Sequence, residues 1–121
     1  MNNFVVWFEI PASNLDRAMK FYSNVMSVEL QPMDMGTSKQ ARFPFVPGVA
    51  SGSLKVSKES EPSAAGTMIY LNGGEDLSAP LARVEAAGGK IIKKKTSIGE
   101  FGFMAVFKDT EGNHIALHSR K

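Results

Sequence analysis

The second half of this chain repeats the order of elements of the first, and that repetition limits the possible folds more than any other feature. Near the midpoint of the 121 residues runs a polar, small-residue stretch, Ser57 to Gly66 (SKESEPSAAG), with the composition of a linker. On each side of it the hydrophobic pattern predicts β-α-β-β-β. Leu15 and Leu77 open the two helices, Leu30 and Ile92 sit in the strands that follow, and both pairs are 62 residues apart. A fixed offset of that size points to a duplicated supersecondary unit.

In the first half, Phe4 to Ile10 is β-branched and aromatic and stops at Pro11, which predicts a strand. Ser13 and Asn14 offer N-cap oxygens, and Asp16 favours the positive end of a helix. Leu15, Ala18, Met19, Tyr22, Val25 and Met26 form one helical stripe. Strands are expected over Val28–Met33, Ala41–Val46 and Ser53–Val56, with Pro44 marking an edge or bulge. In the second half, strands are expected over Thr67–Asn72, Lys90–Lys95, Phe101–Lys108 and His114–His118. Asp76 or Ser78 caps a helix that carries Leu77, Leu81, Val84 and Ala87, tolerates Pro80 in its first turn, and ends at Gly88 and Gly89. The expectation is an α+β fold in one domain over 1–121. Module 1 covers about 1–57, the linker about 58–66 and module 2 about 67–121.

Composition narrows the function classes. There is no cysteine, which removes disulfides, thiolate metal sites and a cysteine nucleophile. A net charge of +2 with one lysine cluster (Lys90, Lys93, Lys94, Lys95) reads as a solvated strand that blunts an edge, so no nucleic-acid partner is expected. No apolar run approaches the roughly 20 residues of a membrane span. The N-terminus lacks a basic segment before an apolar one, so a cytoplasmic location is expected.

Two motifs carry a family resemblance. Asn14-Leu15-Asp16-Arg17-Ala18-Met19-Lys20-Phe21-Tyr22 and Phe107-Lys108-Asp109-Thr110-Glu111-Gly112-Asn113 resemble the "D-L-x-x-A-x-x-F-Y" helix and "D-P-[DE]-G-N" turn of the vicinal oxygen chelate superfamily. Asn stands here for the first Asp and Thr for the Pro. That superfamily includes lactoylglutathione lyase, extradiol dioxygenases and bleomycin-binding resistance proteins. A more particular set, Val6 to Pro11 and Ile98 to Phe103, is similar to small bacterial glyoxalase-related proteins. The resemblance implies two βαβββ modules forming a cupped mixed sheet, and a two-fold homodimer with the cups near the interface.

It also implies a divalent metal held by His and Glu from the first and last strands of each module, and here this chain departs from the pattern. The first ligand position is Trp7, the corresponding strand of module 2 offers Thr67, Met68 or Ile69, and the last strand carries Ala116. Ser53 to Val56 holds no His, Asp or Glu. These side chains cannot offset the dehydration of a divalent ion, so no metal and no cofactor are expected.

If Trp7 points into the cup, period-two alternation brings Val5 and Glu9 with it and turns Phe4, Val6, Phe8 and Ile10 towards the helices. If Ala116 faces the cup, so do His114 and His118. Either Met68 and Tyr70 or Thr67 and Ile69 join them, with Phe101 and Phe103 on the far wall. Such a pocket is aromatic and Met-lined and suits a flat, partly apolar small molecule. The leading expectation is a metal-independent small-molecule binding protein. One alternative is a lyase/isomerase-type or dioxygenase-type enzyme, with Glu9 as base or with a non-standard metal on Glu9, His114 and His118. Another is antibiotic sequestration, although a pI near 9.0 disfavours a cationic antibiotic such as bleomycin.

Overall fold

Strands β1 (Trp7–Pro11), β2 (Gln31–Asp34), β3 (Lys39–Arg42) and β4 (Ser51–Val56) form the first sheet, with helix α1 (Leu15–Met26) crossing from β1 to β2. Strands β5 (Tyr70–Asn72), β6 (Lys90–Ser97), β7 (Phe103–Lys108) and β8 (His114–Ser119) form the second, with the short helix α2 (Ser78–Arg83) between β5 and β6. The computed structural model describes residues 4–34, 36 and 38–121. Both sheets have the same order, β1-β4-β3-β2 and β5-β8-β7-β6. In each, the first and last strands run parallel and the remaining pairs are antiparallel. This is the glyoxalase-like α+β fold with two βαβββ modules.

Strand ends shift from the sequence expectation wherever a partner is missing. The ladder of β1 begins at Trp7 opposite Ser51, so Phe4 and Val6 lie outside it. They do not pack under a helix: Phe4 is 96% and Val6 74% exposed. Strand β3 ends at Arg42, before Pro44, which cannot donate to a ladder. Strand β6 carries two register shifts against β7. Ile91, opposite Phe107 and ahead of the first shift, packs against the core, and Ile92 is exposed.

Helix α1 forms where its stripe predicts. The Asn14 side chain caps it, accepting from Arg17 N–H at 3.0 Å. Ala18, Phe21, Tyr22 and Val25 are buried, in a core that draws on both sheets. An aromatic chain crosses that core. Phe8 meets Phe43, Phe43 meets Tyr22, and Phe21 meets Phe107, each with ring centroids 5.7 Å apart. Phe21 stands edge-on to Tyr22 at 4.9 Å. Module 1 thus meets module 2 through the rings of α1.

The turn before β8 fastens the same helix. Buried Asp109 accepts from the Tyr22 hydroxyl at 2.6 Å and from the Asn113 side chain at 2.9 Å. Asn113 in turn donates to the Pro11 carbonyl at 2.7 Å and accepts from Ser63 N–H at 3.1 Å, tying down the linker. Glu111 reaches the start of α1. Its carboxylate accepts from Ser13 N–H and Asn14 N–H, both at 2.9 Å, and from Arg17 Nε at 2.7 Å. Burial pushes the Glu111 pKa up, but hydrogen bonds from Arg17, Asn14, Ser13 and Thr110 outweigh it and hold the group at about 2.

A carboxylate whose folded pKa lies below its unfolded value contributes stability above the unfolded pKa and loses it as pH falls through the folded one. For Glu111 that window runs from its ordinary 4.5 down to about 2. Glu111→Gln should therefore cost about 2 kcal/mol at neutral pH, the scale of hydrogen bonds to a charged group. It should also flatten the acid limb of stability across that window. Urea unfolding at several pH values checks both. Parallel acid limbs in parent and variant would show that the carboxylate charge is not what holds the helix.

Candidate functional site

Strands β1 and β5 are the inner edges of the two sheets and face each other across a cleft of about 740 Å³. Trp7, Glu9, Met68 and Tyr70 all line it, as does Val5. Trp7 is half-buried and stands edge-on to Phe45, ring centroids 5.8 Å apart. Glu9 is the single charged side chain of the lining, and its Oε1 lies 3.3 Å from Lys55 Nζ. The back wall comes from the core side, where Phe8, Met26, Val28 and Phe43 reach the cleft.

The cup faces of the two sheets differ in chemistry. In the first, Glu9 pairs with Ser53 and Ser53 with Arg42 across neighbouring strands, while Trp7 pairs with Ser51 and Gln40 with Lys55. Ser53 is fully buried and donates to Gln40 Oε1 at 2.8 Å. This polar floor was missed in the sequence. Its signal was the alternation Ser51, Ser53, Lys55 against Gly52, Leu54, Val56. In the second sheet, Tyr70 pairs with Ala116 and Ala116 with Val106, and His118 pairs with Met104. Met104, Val106 and Ala116 form a small apolar cluster separate from the main core.

Four expected pocket residues lie elsewhere. Phe103 packs against the main core rather than lining the cup, with Lys95 Nζ 4.6 Å above its ring. Ala105 and Phe107 fix this face, because both are fully buried in that core and share its period of two. Met104 and Val106 take the cup side instead. Phe101 belongs to a 3₁₀ turn, Gly99–Phe101, and is 63% exposed. Gly102, at φ +105°, breaks the alternation between the two phenylalanines, and a Cβ there would overlap the Ser119 carbonyl oxygen. His118 Nε2 is held by the Phe101 carbonyl at 2.7 Å and lines a separate pocket with Tyr70 and Asn72. His114 shares a smaller cavity of about 220 Å³ with Glu9 and Glu61.

The residues do not fit a divalent metal. At the positions where the resemblance implies ligands stand Trp7, one of Thr67, Met68 or Ile69, and Ala116, and β4 adds only serines, a lysine and apolar residues; none offers carboxylate or imidazole. The alternative set of Glu9, His114 and His118 does not converge. Glu9 is engaged by Lys55 and His118 by a backbone carbonyl. His114 and His118 are four residues apart on β8, about 13 Å along a strand. Among the described residues no group of three or more His, Cys, Asp or Glu side chains is placed to hold an ion.

This chain belongs to the glyoxalase/bleomycin resistance protein/dioxygenase superfamily, whose family model matches residues 4–117. It is 35% identical over 119 residues to a glyoxylase-like domain-containing protein of Didymella fabae, covering 93% of this chain and 90% of that one. Among solved structures it resembles a glyoxalase I variant from Zea mays at 18% identity and TM-score 0.75, over 94% of this chain and 45% of the maize chain. It also resembles TnmS3, an antibiotic binding protein from Streptomyces sp. CB03234, at 22% identity and TM-score 0.67, over 100% and 99% of the two chains. At these identities the two structures speak for the fold alone.

The Glu9–Lys55 pair is partly open to solvent, with side-chain exposures of 41% and 26%. Open pairs contribute little to stability. Glu9→Gln should therefore change stability by under about 1 kcal/mol, in contrast to Glu111→Gln. A loss as large as that of Glu111→Gln in thermal unfolding would mean that Glu9 serves the fold rather than the cleft.

Proposed function

We propose that the chain is a small-molecule binding protein of the glyoxalase fold that works without a bound metal. The carrying observation is that a cleft lined by Trp7, Met68 and Tyr70 occupies the meeting of the modules, while no cluster of three or more His, Cys, Asp or Glu side chains is placed among the described residues to hold an ion. Apolar walls with few polar groups suit a ligand that is itself largely apolar. The antibiotic binding protein is an example of a binding role on this fold, while the lyase and dioxygenase chemistry of this superfamily needs a metal as Lewis acid. Glu9 is then a hydrogen-bonding group of the cleft. Its place beside a second cavity with His114 supports, as a second reading, acid–base work on a bound ligand.

The reading includes a homodimer, supported by exposed Phe45, Val46 and Val49 on the loop beside Trp7. It also includes a cytoplasmic location, with which the absence of cysteine is compatible. Among the described residues, no helix is long and apolar enough to cross a membrane.

Native mass spectrometry of freshly purified protein, followed by a ligand-induced melting screen, tests the reading. The expected result is a dimer carrying no stoichiometric metal and stabilised by apolar small molecules. Trp7→Ala and Tyr70→Ala should weaken such a ligand at least tenfold with little change in the melting of the free protein. One equivalent of Zn, Ni, Mn or Fe, lost in Glu9→Ala, would overturn it.

A further inference from the structure

The cleft is bounded by two strand edges, and the direction of their backbone groups says what it can take. Ala12 N–H donates to the Lys55 carbonyl at 2.9 Å, so Phe8 and Ile10, in step with it, turn their N–H and C=O groups towards β4. Trp7 and Glu9, out of step, turn theirs away from β4 and into the cleft. The Pro11 carbonyl, on the same edge, confirms the direction by accepting from Asn113 across the module boundary. In β5 the Ile69 carbonyl accepts from Ala116 N–H at 2.9 Å and Gly73 N–H donates to the His118 carbonyl at 2.7 Å. Met68, Tyr70 and Asn72 therefore aim their backbone groups at the cleft. Among the described residues, β1 pairs with β4 alone and β5 with β8 alone.

The side chains fit the same shape. Phe43 belongs to the main core and Phe8 and Met26 pack against it, while Trp7 and Tyr70 lie outside it, so alternation puts the two sets on opposite faces of the edge strands. An extended chain lying between the two edges would send alternate side groups to these two apolar walls, because its own period is two. It would also meet backbone donors and acceptors along both flanks, as in strand addition. We propose that the ligand of this cleft is a short linear amide, roughly two or three residues long, bound as an added strand between β1 and β5. The length follows from β5, which spans only Tyr70–Asn72. This assignment rests on the small-molecule reading and gives it a ligand class.

The test is titration calorimetry on the full chain with N-acetyl-Leu-Val-Leu methylamide, its form N-methylated at the Val amide and its form N-methylated at the first Leu amide. Naphthalene-2-methanol serves as an amide-free apolar probe. The parent peptide should bind, and at least one N-methylated form should bind tenfold or more weakly, since N-methylation removes a donor and keeps the apolar side groups. On the protein side, Glu9→Pro removes a cleft-facing N–H on an edge strand that already accepts Pro11, and circular dichroism checks that it folds. It should weaken the peptide a further tenfold beyond Glu9→Ala, which removes only the side chain.

Equal binding of all three peptides, or equal affinities in Glu9→Pro and Glu9→Ala, would overturn the proposal and leave the small-molecule reading standing. So would binding of the naphthalene probe without the peptides. If neither peptides nor probe bound at millimolar concentration, the small-molecule reading would fall with it. An apparent peptide affinity that weakened as protein concentration rose would show a second copy of the chain in the cleft, and would also overturn the proposal.

Discussion

The carboxylate of Glu111 closes the first turn of α1 from the far end of the chain. It satisfies N–H groups of Ser13 and Asn14 that no intrahelical carbonyl can reach, and it pairs with Arg17. Two residues back, Asp109 anchors the Tyr22 hydroxyl deep in the same helix. Two residues on, Asn113 holds the end of β1 through Pro11 and the linker through Ser63. One five-residue turn of module 2 thus sets the helix, the first strand and the linker relative to the second sheet. The partners of Glu111 lie up to 98 positions away in sequence, so module 1 acquires its finished helix start only once the last strands are in place. The cleft inherits its geometry from this contact, since its two edge strands belong to different modules.

That contact also explains why the two most recognisable motifs of the sequence occur together. Read separately, the helix motif from Asn14 to Tyr22 looks like capping and packing, and the motif from Asp109 to Asn113 looks like turn chemistry. In the structure they are the two sides of a single interface. Alternation and helical stripes act within one element and announce local structure. A hydrogen bond between residues almost a chain length apart leaves no such trace, and only the pairing of charges, Arg17 with Glu111, hints at it.

The fold was legible because duplication doubles every signal: a weak strand in one half gains support from its counterpart in the other. Helix α1 was legible in place and face because a stripe of apolar positions runs about three turns after a cap at Ser13 or Asn14; its end at Ser27, which adopts φ 55°, carried no such signal. Strand limits were less so, since a ladder stops where its partner stops. Phe4 and Val6 are β-formers that face no partner strand among the described residues. The site was half legible. Counting from a resemblance, with period-two alternation, pointed to Trp7 and Glu9, which line the cleft, and to Ala116, which lies in the small apolar cluster beside it; Phe101 and Phe103 part at Gly102, where one positive φ separates them. The polar floor of Ser51, Ser53 and Gln40 escaped because a search for metal ligands looks past hydroxyls and amides.

The chain has one tryptophan, and it stands in the cleft outside the main core cluster. Its emission is therefore an optical probe of the cleft rather than of the fold as a whole. Phe45, the ring that touches it, lies on an exposed loop, so anything that enters the cleft or shifts that loop changes the indole's surroundings while the sheets stay intact. The Tyr22 phenol reports elsewhere, unlike Tyr70, which lines the cleft: Tyr22 is sealed in the core against Asp109, and its ionisation is pushed well above the ordinary phenol range by burial first and the neighbouring carboxylate second. Trp7 and Tyr22 thus read two different events. The indole follows the cleft, and the buried phenol follows the joint between the modules.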